Sequence, residues 1–110
     1  MATPSRTVIR TRVGRECRKA LQRPGAPPVK MSDVVGRGGL GYGPSALGNK
    51  IEEIADAVAS DPQVIPAGAP ISVPIDAART LVAKTVSELA DYITKEIIYD
   101  LLKAGYTVDP

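Results

Sequence analysis

The chain has 110 residues, the length of one small domain, and only four aromatic side chains, all Tyr, so Ile, Val, Leu and Ala must build its core. Histidine is absent and Cys17 is the single cysteine, which excludes intrachain disulfides, multi-cysteine metal sites and histidine-based acid–base or nucleophilic catalysis. The formal charge of +2 conceals a division: residues 1–30 carry eight basic side chains against Glu16 alone, net +7, while residues 31–110 carry six basic and eleven acidic ones, net −5.

Residues 1–30 read as a basic, extended N-terminal arm. Within TVIRTRVGRECRKALQR two periodicities compete. Alternation of Val8, Arg10 and Arg12 with Ile9, Thr11 and Val13 suits a strand; Ile9, Val13, Cys17 and Leu21 at i, i+4, i+8 and i+12 suit one face of a helix. Gly14 disfavours a helix through the whole stretch by about 1 kcal/mol relative to Ala, so the expectation is an extended start passing into a short helix around Gly14 to Gln22. RPGAPPVK then reads as a linker, because Pro24, Pro27 and Pro28 lack amide donors and force their preceding residues into extended conformations.

Net +7 with few apolar residues suits contact with an external surface. Arg6, Arg10, Arg12, Arg15, Arg18 and Lys19 are candidates to meet carboxylates there, and Ile9, Val13 and Leu21 to anchor. Phosphates of a nucleic acid and packing on the chain's own body are the alternatives, and a solvated tail is the bland reading. Cys17 has cationic neighbours that would favour thiolate, but as a small apolar residue on the Ile9 face it needs no reactive role.

Residues 31–48 read as a Gly-rich hinge. VVGRGGLGYG carries the spacing G-x-G-x-x-G at Gly36, Gly38 and Gly41, and Asp61 lies 20 residues past Gly41, where a dinucleotide fold places its ribose-binding acid. Against nucleotide binding, the preceding strand would be only SDVV, Pro44 intervenes before the next helix, and proline-punctuated chain replaces a second parallel strand. Backbone freedom is the preferred role for these glycines.

Residues 49–110 read as a small helical domain. Leu47, Ile51, Ile54 and Val58 mark a short amphipathic helix that stops before Pro62, with Asn49 and Glu52 spaced as a capping box. A Pro-rich connector occupies 62–74, with Pro62, Pro66, Pro70 and Pro74 at every fourth position. From about Val73 to Ala104, Ile75, Ala78, Val82, Val86, Leu89, Ile93, Ile97 and Leu101 recur at steps of three and four, with Gly105 as the stop. A helix of about 29 residues would span ~43 Å, more than the roughly 34 Å diameter of a compact domain of this size. One short helix cannot cover such a stripe, so Val82, Leu89, Ile93, Ile97 and Leu101 are expected to face an oligomeric partner. The isolated protein is accordingly expected to be oligomeric or poorly folded.

The expected fold is therefore mainly α: a small helical body with one long C-terminal helix and a short amphipathic helix, an extended N-terminal arm and Gly/Pro-rich connectors. No stretch approaches the ~20 apolar residues of a membrane span, and the N-terminus lacks the apolar core of a secretory signal. Glu52, Glu53 and Asp56 cluster without a histidine or a second catalytic element, so no catalytic residue, cofactor or metal site is expected. In overall type, with arm, glycine hinge, proline connector and uncovered helix, the chain resembles small structural subunits of large assemblies, especially minor virion proteins of tailed bacteriophages. That resemblance implies no enzymatic activity. It also implies a capsid-decorating, neck or connector role, other protein subunits including copies of itself as partners, and a location in the virion after synthesis in the host cytoplasm.

Overall fold

The computed structural model describes residues 3–21, 44–76, 78–81 and 85–110. Gly36, Gly38, Gly41 and Val82, singled out above, lie outside the described residues. The described chain is mainly helical and contains no strand. Its elements are α1 (Arg6–Leu21), α2 (Pro44–Ala59), α3 (Ala78–Leu81) and α4 (Val86–Lys103).

Residues 6–21 are a helix of 16 residues, so the short helix expected around Gly14 to Gln22 begins at Arg6 and the extended start expected before it is helical from that residue on. Its spacing decides the matter: Ile9, Val13, Cys17 and Leu21 form one buried line, with the first three fully enclosed. Burying each large aliphatic side chain contributes about 1.5–3 kcal/mol, which outweighs the ~1 kcal/mol that Gly14 costs as a mid-helix residue. Ser5 starts the helix by accepting a 3.4 Å hydrogen bond from the Val8 amide through Oγ, while its carbonyl accepts from Ile9 N–H at 2.9 Å. Pro4 and Ser5 are tied to the other end of the chain. The Arg6 amide donates to the Asp109 carbonyl at 2.7 Å, and the Asp109 amide donates to the Pro4 carbonyl at 2.8 Å.

α2 starts at Pro44, earlier than the Asn49 cap expected from spacing, so Asn49 lies within the helix. Proline suits the first helical position because its missing amide would have no intrahelical acceptor there. Ile51, Ile54, Ala55 and Val58 are its buried face.

The single long helix expected from about Val73 to Ala104 is divided. α3 is one turn, and α4 begins afresh after Thr85, whose backbone is extended (φ −88°, ψ 165°). Thr85 Oγ1 accepts from the Glu88 amide at 3.1 Å, and the Glu88 carboxylate accepts from the Thr85 amide at 3.3 Å. This reciprocal cap satisfies two otherwise orphaned donors. At the other end Gly105 adopts φ 95°, and the Gly105 and Tyr106 amides donate to Leu102 and Leu101 carbonyls at 3.1 and 3.0 Å. That pair of bonds needs a left-handed residue, which glycine supplies without strain.

With 18 residues, α4 is ~27 Å long at 1.5 Å per residue, short enough to be covered within one small domain. Leu89, Ile93, Ile97 and Leu101 are fully buried against the rest of the chain. α1 packs most extensively against α4 and next against α2, while α2 and α4 touch far less. The element assigned to an arm thus occupies the centre and covers the stripe assigned to a partner. Connector residues close the remaining side: Val64 and Ile65 are buried, the Ser72 amide donates to Asp100 Oδ2 at 2.8 Å, and the Tyr92 hydroxyl donates to the Pro74 carbonyl at 2.8 Å. Among the described residues no buried side-chain polar atom lacks a partner.

Candidate functional site

The helical form of α1 sorts the residues expected to dock into three groups. Ile9, Val13 and Leu21 belong to the chain's own core and are not free to anchor elsewhere. Arg10 and Arg12 are engaged within the fold. Arg10 Nε donates to Asp91 Oδ1 at 2.7 Å and its Nη2 donates to Ser87 Oγ at 3.2 Å. Arg12 Nε donates to Glu16 Oε1 at 3.1 Å, and its Nη1 pairs with Asp61 Oδ2. Arg6, Arg15, Arg18 and Lys19 remain exposed.

The Arg12 contacts fix the start of the connector. Both carboxylate oxygens of Asp61, weighed above as a ribose-binding acid, are engaged within the fold: Oδ1 accepts the Gln63 amide at 2.9 Å, and Oδ2 faces Arg12. The backbone bond from Gln63, and then the Arg12 guanidinium, hold the Asp61 carboxyl below its ordinary value. Hydrogen bonding to Asp61 and then to Glu16 raises Arg12. Cys17 is fully enclosed, and burial pushes its thiol up to about 12 despite the opposing influence of Arg10 and Arg18. A neutral enclosed thiol is packing material and a poor nucleophile.

No group of three or more histidine, cysteine, aspartate or glutamate side chains among the described residues is placed to hold a metal ion. Among those residues no helix is long and apolar enough to cross a membrane. Comparison with family models, with curated proteins and with solved structures finds no match for the chain.

The surface feature with most chemical definition is a groove of about 450 Å³ between α1 and α4. Its apolar part is Ile98, Tyr99 and Leu102, of which Tyr99 and Leu102 are 58% and 48% exposed. Arg6, Arg10 and Lys95 stand around it with Asp91. Asp91 is taken by Arg10, whereas Arg6 and Lys95 have no acidic partner among the described residues. Lys103 Nζ lies 5.8 Å from the centre of the Tyr99 ring, within cation–π range, and adds a further positive charge beside the apolar patch.

Sequence reading did not find this groove. Arg6 falls in the segment read as a separate arm, and the spacing that marks α4 runs through Leu89, Ile93, Ile97 and Leu101 instead of Ile98, Tyr99 and Leu102. The signal that could have joined them is the i, i+4 repeat of α1: once Ile9 and Val13 face α4, Arg6 and Arg10 fall at the border of that contact.

A second, smaller groove of about 250 Å³ lies between α2 and the connector, where Glu52 and Asp56 flank Ile71, Val73 and Ile75. Ile75 is 41% exposed, and neither Glu52 nor Asp56 has a basic partner among the described residues.

Proposed function

We propose that the chain is a structural subunit of a large assembly, of the kind represented by minor virion proteins of tailed bacteriophages, and that it docks on a neighbouring protein through the groove between α1 and α4. The observation that carries this reading is the exposure of Tyr99 and Leu102 beside the buried Ile98, with Arg6 and Lys95 at the rim. Aromatic and aliphatic anchors inside a charged border have the anatomy of a protein-binding hot spot. The docking surface differs from the one expected of an extended arm. Arg6 and Lys95 are its charged elements, and α4 contributes through its solvent-facing residues instead of through Leu89, Ile93, Ile97 and Leu101.

A second reading, contact with nucleic acid, is favoured by Arg15, Arg18 and Lys19, which leave a basic, exposed end on α1. Density-gradient sedimentation of lysate from the natural source, with nuclease treatment in parallel, separates the two. A structural subunit travels with a large particle before and after nuclease, and Tyr99→Glu moves it to the small-protein fractions. Finding the native chain only among small species, or its release by nuclease alone, would reject the protein-docking reading.

A further inference from the structure

The two grooves are complementary in charge, and they are lined by different elements. The first lies where Thr94, Ile98 and Leu102 of α4 meet Arg6 and Arg10 of α1. The second adjoins the connector that Asp100 and Tyr92 hold at Ser72 and Pro74. One presents exposed Tyr99 and Leu102 among Arg6 and Lys95, and the other presents exposed Ile75 beside Glu52 and Asp56; among the described residues none of these four charges has an ion-pair partner.

We propose that the occupant of the α1/α4 groove is a second copy of this chain, which inserts its Ile75 edge so that Glu52 and Asp56 meet Arg6 and Lys95. The inference rests on the docking function proposed above and gives the partner its chemistry. Opposite charges around apolar contacts select the register and suppress the reversed arrangement, because groove against groove would juxtapose Arg6 and Lys95 with their own equivalents. Two different surfaces make the contact heterologous. Every bound copy therefore leaves one groove and one edge open, and association continues into a ring or an open filament.

Sedimentation velocity of the purified full-length protein, from low micromolar to submillimolar concentration, tests this. The wild type should associate with rising concentration, and high salt should weaken the association, since rim charges are screened beyond about 10 Å at 0.1 M ionic strength. Tyr99→Glu places an acid opposite the incoming Glu52 and Asp56, and Ile75→Lys places a base opposite Arg6 and Lys95. Each should weaken self-association by roughly tenfold or more, the effect of about 1.4 kcal/mol. Both replaced side chains are exposed, so far-UV circular dichroism should remain that of the wild type.

The decisive sample is an equimolar mixture of the two variants. Tyr99→Glu retains an intact Ile75 edge and Ile75→Lys retains an intact groove, so the mixture should form dimers that grow no further. A wild type that stays monomeric throughout, variants that associate as the wild type does, or a mixture that yields no dimer would each overturn the proposal. A monomeric wild type that still travels with a large particle would remove the self-association and leave the docking function standing.

Discussion

Replacing Gly14 by Ala asks directly whether residues 6–21 are a helix inside the fold. In a helix interior glycine is about 1 kcal/mol less favourable than alanine, so the exchange should stabilise the protein unless the new methyl group is obstructed. A Cβ at this position would lie 2.6 Å from Arg10 Nη1 and 3.3 Å from Arg18 Nη1, so the Arg10 guanidinium must move. Both obstacles are the ends of flexible side chains. Moving Arg10 disturbs its bond to Asp91, a pair whose side chains are 34% and 67% exposed, and such solvent-screened pairs are worth about 0–1 kcal/mol. The net change should therefore lie between about 0 and 1 kcal/mol in favour of Ala. In an Arg10→Ala background only the 3.3 Å approach of the flexible Arg18 end remains, so most of the ~1 kcal/mol should appear, which makes the difference between the two backgrounds a measure of the Gly14–Arg10 contact. Urea unfolding followed by circular dichroism reads these values from the midpoint and slope. A Gly14→Ala change in the Arg10→Ala background that is neutral, or that destabilises by more than about 1 kcal/mol, would show that residue 14 is not in a helix interior.

Ile9→Ala should cost about 2–5 kcal/mol, the range for emptying a fully buried aliphatic site, and a change within about 0.5 kcal/mol in urea unfolding would mean that α1 is peripheral. Cys17 should react with a disulfide reagent at pH 8 only as fast as the protein opens, since burial keeps the thiol neutral up to about 12; labelling at the rate of a free thiol would refute its enclosure. Asp61 is held below its ordinary value in the folded state, so its stabilising contribution is complete above that value and is lost as pH falls through the lowered one. Asp61→Asn should therefore flatten the acid limb of the stability–pH curve measured by thermal melting, and an unchanged limb would mean that the Gln63 and Arg12 bonds do not hold the carboxylate.

The helical class of the fold was legible because Ile51, Ile54, Val58, Leu89, Ile93, Ile97 and Leu101 keep helical spacing. The exchange of partners was not. Ile9, Val13, Cys17 and Leu21 keep the same spacing, but charge, Gly14 and the following prolines all argued for an arm, and those local signals yield to burial of four side chains in one line. Once α1 is assigned to the outside, α4 loses its cover, and an oligomeric interface has to be invoked for residues that the chain buries by itself. The break at Thr85 had a readable mark in Thr85-Val86-Ser87-Glu88, a capping box set within an otherwise continuous apolar repeat. Periodicity alone ran through it because Val86 and Leu89 continue the phase. The groove depends on two helices far apart in sequence, so neither Arg6 nor Tyr99 could disclose it alone.

The docking claim is tested most directly by a photo-cross-linking amino acid in place of Leu102, illuminated while the chain resides in its natural assembly and followed by mass spectrometry of the adduct. The expected product is a covalent adduct to a protein segment containing aliphatic and acidic residues. An adduct to nucleic acid, or a chain that remains uncoupled in the assembly, would contradict it.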